Sequence, residues 1–149
     1  MNVLGITHSL SLHSAAALLI DGEIVSINEE ERFARIKHAM CVEGGLFPGE
    51  AITECLTHGN LKPQDIDLVC VSWNESRPKG WHPALVVREE IRKRNFEREG
   101  LDGGSFTFMG SPDPARYGLE MEQRTLGGLA GMGIMARIEF YNHHLSHAA

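Results

Sequence analysis

The stretch MNVLGITHSLSLHSAAALLIDGEIVSIN, residues 1–28, decides the fold. Val3, Leu4 and Ile6, with Gly5 between them, read as a buried strand. A polar segment from His8 to His13 follows, and then SAAALLID forms a second apolar run that ends at Asp21-Gly22. Asp-Gly between two apolar runs is a strong hairpin signal, because both central residues of a type I′ turn need positive φ. The partner strand runs from Glu23 to Asn28, with Ile24, Val25 and Ile27 apolar. Residues 2–28 are therefore predicted to form a three-stranded antiparallel meander. The competing reading is a helix over 14–20, built on the alanines.

Downstream, the polar EEERFARIKHAM leads into a loop with Gly44, Gly45 and Pro48. A helix is predicted from about Glu50 to His58, with Ala51, Ile52, Cys55 and Leu56 at helical spacing and Gly59-Asn60 as its C-cap signal. LVCVSW, residues 68–73, reads as a strand buried on both faces with Cys70 in the core. Residues 83–98 read as a charged amphipathic helix, 101–118 as irregular, and 119–135 as a Gly- and Met-rich helix-like segment. A strand from Arg137 to Tyr141 follows, and His143 opens a final helix. The order β-β-β-α-β-α-β-(α) describes an α/β protein with a mixed sheet and helices on its faces. It is the order of the ribonuclease H-like fold shared by actin, sugar kinases and heat-shock ATPases. Fold analogy of this kind carries no function by itself.

Composition narrows the function classes. Hydrophobic residues are 42% and charged residues 23% of the 149, which fits a packed globular chain and excludes disorder, collagen and coiled coil as overall descriptions. The longest apolar run, Ala15–Ile20, falls far short of the about 20 residues a membrane span needs. No cationic segment followed by an apolar one marks a secretory signal. A net charge of −6 argues against binding nucleic acid through its phosphates. Cys41, Cys55 and Cys70 are odd in number and lack metal-type spacing, so they read as reduced thiols of a cytoplasmic protein. The chain stops in HHLSHAA, its most chemically loaded stretch, so 149 residues are expected to be a fragment.

Three features carry chemistry. In His143-His144-Leu145-Ser146-His147, His143 and His147 are four apart, which on a helix places them on one face as a metal-binding pair. No Glu follows the first histidine, so the metalloprotease pattern fails. His144 falls off that face and reads as a ligand-contacting group, while a capping or solvated cluster is the plain alternative. His8 and His13 lie in the connection between the first two strands, where a general base or phosphate contact is possible, against two solvated loop histidines. In EEERFARIKH, residues 29–38, three acids followed by Arg32, Arg35, Lys37 and His38 read as a solvated charged edge. The basic half, Arg32, Arg35, Lys37 and His38, offers an alternative grip on an anion. Gly127, Gly128 and Gly131 are not a phosphate loop, since no Lys-Ser/Thr follows.

The three features occur together in one family. The sequence resembles the N-terminal part of the O-carbamoyltransferases that act on nodulation factors, cephalosporins and aminoglycosides. The resemblance rests on VLGI followed by HSAAALLIDG, on EEERFARIKH, and on HHLSHAA, in that order across residues 3–149. It implies an N-terminal domain similar to the catalytic subunit that makes threonylcarbamoyladenosine in tRNA, here truncated, and an adenylate-forming C-terminal domain that is absent. The C-terminal domain uses ATP and carbamoyl phosphate to make carbamoyl-adenylate. The N-terminal domain passes the carbamoyl group to a hydroxyl of a small-molecule acceptor. The resemblance further implies a divalent metal, iron(II) ahead of zinc, held by His143 and His147 with later aspartates. His13 matches the histidine near the transferred carbamoyl group and is the expected catalytic residue. Arg32, Lys37 and His38, with His144, are the expected substrate contacts. Ser14 departs from the pattern, since many relatives carry Asp there. The other readings are a stand-alone metal- or ligand-binding module without catalysis, and a sugar-kinase-like ATPase, for which the required phosphate-binding hairpin is missing.

Overall fold

The computed structural model describes residues 1–7, 13–41, 44–72 and 114–141. The predicted helices at 83–98 and from His143 onward lie outside them, as do His8, Trp73 and Trp81. The meander forms as expected. Strands β1 (Asn2–Ile6), β2 (Ala15–Ile20) and β3 (Glu23–Glu29) pair antiparallel in sequence. The turn between β2 and β3 has Asp21 at φ 52° and Gly22 at φ 89°, the double positive φ that Asp-Gly supplies at low steric cost. The helix alternative over 14–20 is thereby set aside. One residue of β3 is bulged out opposite Leu18 and Leu19, where the register shifts.

After β3 come a one-turn helix α1 (Glu31–Ala34), a 3₁₀ turn (Lys37–Ala39) and a two-residue pair β4 (Met40–Cys41) and β5 (Gly44–Gly45). Sequence pattern announced none of these. Helix α2 (Gly49–Gly59) buries Ala51, Ile52, Cys55 and Leu56, the four residues that periodicity selects. Its end is a Schellman motif in which Asn60 (φ 51°) donates to the Thr57 carbonyl and Leu61 to the Leu56 carbonyl. Gly59 serves another purpose: a Cβ there would stand 2.5 Å from Leu18 Cδ2, so a larger residue would push the buried Leu18 side chain of β2 aside.

Strand β6 (Leu68–Val71) pairs parallel with β1, and β7 (Arg137–Phe140) pairs parallel with β6. The five-stranded sheet runs β3-β2-β1-β6-β7. Between β6 and β7 lies helix α3 (Pro114–Gly131), which begins and ends earlier than the 119–135 that composition suggested. Its stop is a second Schellman motif: Gly133 (φ 76°) donates to Ala130 and Ile134 to Leu129, with Leu129 and Ile134 both buried. The fold is thus α/β with a mixed sheet.

The core lies on one face of the sheet. Leu4, Ile6, Ala16, Leu18, Val69 and Val71 point there and pack with Ile52, Cys55 and Leu129. Each large aliphatic side chain so buried contributes about 1.5–3 kcal/mol. The expectation that β6 is buried on both faces needs correction: Val69 and Val71 are buried, whereas Leu68 and Cys70 are only half-buried. Cys70 points away from the core, into a shallow apolar depression of about 300 Å³ with Gly5, Ala15, Ala17, Ile27 and Tyr141. Among the described residues no helix is long and apolar enough to cross a membrane.

Candidate functional site

The carboxyl ends of the parallel strands β1, β6 and β7 lie at one edge of the sheet, where the antiparallel β2 begins. In open sheets with parallel strands, ligands characteristically bind outside these carboxyl ends. Backbone bonds extend the ladders to that edge: Ser72 N–H donates to Ile6 and Tyr141 N–H to Val71. Thr7 closes the β1–β2 pair, its N–H donating to the Ala15 carbonyl at 3.1 Å and its Oγ1 accepting the Ala15 N–H at 2.9 Å. His13 therefore stands at a fixed place, one residue before the buried Ser14. The Ser14 hydroxyl donates to the Leu46 carbonyl at 2.6 Å, a bond an ionised aspartate at this position could not make.

The EEERFARIKH segment folds back onto the same edge. Glu30 N–H donates to the Ser14 carbonyl at 2.9 Å. Its side chain is buried, 5% exposed, which corrects the expectation of a wholly solvated acidic edge. The Glu30 carboxylate accepts N–H bonds from Ala51 (2.9 Å) and Glu50 (3.3 Å). These are free donors of the first turn of α2, whose own N-cap position is Pro48 and offers no side-chain acceptor. A carboxylate at a helix N-terminus is also favoured by the helix dipole.

Glu31 acts on the other side. Its Oε2 accepts the backbone N–H of His38 at 2.8 Å. That bond, followed by the charges of Arg32, His38 and His13, holds the Glu31 carboxyl below its ordinary value of 4.5. His38 has φ 62° and Ala39 φ 47°, both left-handed. Ala39 is fully buried, and its carbonyl accepts the Leu46 N–H at 2.8 Å. The carbonyl of the same Leu46 accepts the Ser14 hydroxyl. The loop is thus pinned at both ends while carrying strained backbone between them.

This places two of the expected residues in contact. His13, itself at φ 63°, and His38 bring their Nδ1 atoms to 3.2 Å, with ring centroids 4.5 Å apart and planes at 80°. Sequence analysis selected both residues separately and gave no sign of their pairing. Arg32 and Lys37 are exposed beside them, and Arg32 Nε lies 3.6 Å from Glu29 Oε2. Glu30 and Glu31 were missed as individuals. The usable signal was that α2 opens with Pro-Gly-Glu, without a local Ser, Thr, Asp or Asn cap, so its N–H groups need an acceptor from elsewhere.

At the end of β7, the Tyr141 hydroxyl donates to the Glu139 carboxylate, which also pairs with Arg137 at 2.9 Å. That bond, with burial second, pushes the Tyr141 phenol up to about 12. Burial likewise raises the Cys70 thiol beside it.

His143, His144 and His147 lie outside the described residues. Among the described residues no group of three or more His, Cys, Asp or Glu side chains is arranged to hold a metal ion.

No family model matches the chain. The chain is similar to "Nodulation protein NolNO" of Sinorhizobium fredii, 27% identical over 138 residues. The match covers 92% of this chain and 17% of the relative, so the chain spans about one sixth of that protein's length.

Proposed function

We propose that the chain is the N-terminal part of an O-carbamoyltransferase, and that its sheet edge passes a carbamoyl group to a hydroxyl of a small acceptor. The observation that carries the reading is the match to a nodulation protein over 92% of the chain, on a sequence whose three ordered motifs already resembled this family. The strand order β3-β2-β1-β6-β7, with β2 antiparallel to β1, supports the ribonuclease H-like class. The juxtaposition of His13 and His38 supports a reaction centre at the sheet edge.

In this reading carbamoyl-adenylate is formed from ATP and carbamoyl phosphate by the adenylate-forming domain of the longer protein. The acceptor hydroxyl attacks the carbamoyl carbon and the phosphate departs. A hydroxyl at neutral pH needs a base within hydrogen-bond reach, and a histidine has the suitable pKa. His13 is that base. Lys37, Arg32 and His38 offset negative charge developing on the carbonyl oxygen and the departing phosphate, with His144 as a further substrate contact. His143 and His147 would hold a divalent metal, iron(II) ahead of zinc, which supplies a fixed positive charge to the phosphate. The protein works in the cytoplasm, without nucleic acid or membrane as partner.

The test is transfer of labelled carbamoyl by the longer reading frame, given ATP, carbamoyl phosphate and a panel of hydroxyl acceptors. Carbamoylated product that requires both co-substrates is expected. Carbamoyl-phosphate-dependent ATP–pyrophosphate exchange by the 149-residue chain alone, near the rate of the longer protein, would overturn the assignment of adenylate formation to a separate domain. Iron(II) or zinc titration checks the metal: tight binding lost in His143→Ala and His147→Ala is expected.

A further inference from the structure

The 3.2 Å separation between His13 Nδ1 and His38 Nδ1 constrains where their protons sit. Two nitrogens this close, both bearing lone pairs or both bearing protons, repel. One must donate and the other accept. A neutral imidazole carries one proton. The ring that donates from Nδ1 therefore has a bare, basic Nε2, and the ring that accepts at Nδ1 carries its proton on Nε2. We propose that His13 and His38 work as one proton-sharing pair, presenting one basic and one protonated Nε2 at the sheet edge, with Glu31 as the positioning residue that holds them together.

The backbone argues that the contact is built. Both histidines are held at left-handed φ, 63° and 62°, which costs an L-residue about 1–2 kcal/mol. Strain of this kind persists where the surroundings over-determine it, and it concentrates at functional sites. Glu31 is what over-determines His38, through the 2.8 Å bond from the His38 N–H to its Oε2. Among the described residues, the ionisable groups near the pair are Glu31, Arg32 with its partner Glu29, and Lys37, while the Glu30 carboxylate is turned to the start of α2.

The role in catalysis rests on the carbamoyl-transfer reading. The basic Nε2 takes the proton of the attacking hydroxyl as the new O–C bond forms. The protonated Nε2 of the other ring gives its proton to the departing phosphate oxygen as the C–O bond to phosphate breaks. The shared proton crosses from one Nδ1 to the other in the same event, so that no imidazolate forms. Both rings end neutral with their roles exchanged, and one proton has moved from acceptor to leaving group.

The test is ¹⁵N NMR of the histidines in the full chain. The expected result in the wild type is one Nδ1–H and one Nε2–H tautomer, coupled through the Nδ1–Nδ1 hydrogen bond. In His38→Ala, the Nδ1–Nδ1 coupling should vanish and His13 should take up the ordinary Nε2–H tautomer. In Glu31→Gln, a neutral and weaker acceptor for the His38 N–H, the Nδ1–Nδ1 coupling should weaken while the rest of the spectrum stays folded. Two ordinary Nε2–H tautomers with no Nδ1–Nδ1 coupling in the wild type overturn the proposal, and that observation needs no variant. A coupled pair in a longer protein that transfers no carbamoyl group supports the pair and removes the reaction assigned to it. Transfer by a protein with uncoupled histidines does the reverse.

Discussion

Two tight turns in this molecule use left-handed backbone, and they are built from opposite materials. The β2–β3 turn places Asp21 and Gly22 at positive φ, residues that take this conformation readily. The segment from Arg35 to Ala39 places Arg35, His38 and Ala39 there, at φ 56°, 62° and 47°. Local chemistry makes the first turn. The second is made by contacts from a distance: Glu31 holds the His38 N–H, and Leu46 holds the Ala39 carbonyl. Glu30, next in line, ties the start of α2 to the same edge. The hairpin organises the sheet, and the strained loop presents His38 to His13.

That contrast can be broken most strongly at Glu30. Glu30→Ala leaves two N–H groups at the start of α2 without their carboxylate, Ala51 N–H in a buried setting. The expected loss is about 2–3 kcal/mol, read as a lowered thermal or urea midpoint. At the hairpin, Asp21→Ala should cost about 1 kcal/mol, because Ala pays the steric cost of φ 52°. Asp21→Asn should be nearly neutral, because asparagine tolerates the turn and the lost pairing with the Met1 ammonium is exposed. Equal effects of the two substitutions would show that the pairing, not the turn geometry, matters there. Arg35→Gly should stabilise by about 0.5–1 kcal/mol, since Arg35 is an exposed left-handed cap of α1. The smallest effect concerns acid. The Glu31 carboxyl is held below its ordinary value, so its contribution is complete above about pH 5 and fades as pH falls through the lowered value. The stability difference between wild type and Glu31→Gln, followed by urea denaturation, should therefore shrink on acidification.

The same contrast explains what was legible. The meander, the buried face of α2 and the strands β6 and β7 depend on periodicity and turn chemistry within a few residues, and they could be read directly. The end of α3 was placed too late, at 135, because Gly133 takes a left-handed conformation and stops the helix at Gly131. Gly128 instead makes room for the Phe47 ring, 2.7 Å from where a Cβ would be. Helix α1, the 3₁₀ turn and the β4–β5 pair were invisible because their anchors are 7 to 32 residues away, from Glu31–His38 to Ser14–Leu46. Of the candidate site, motif resemblance selected His13, Arg32, Lys37 and His38. It gave no account of Glu31, which holds the His38 backbone, or of Glu30, which holds the start of α2.

The central claim is that His13 serves the transfer step. The most direct measurement is single-turnover carbamoyl transfer in the longer protein, wild type against His13→Ala, with adenylate formation followed in the same mixture. The account predicts that carbamoyl-adenylate still forms while transfer to the acceptor falls about 10²–10⁴-fold, the contribution expected of a positioned acid–base group. Transfer at the wild-type rate in His13→Ala would contradict it.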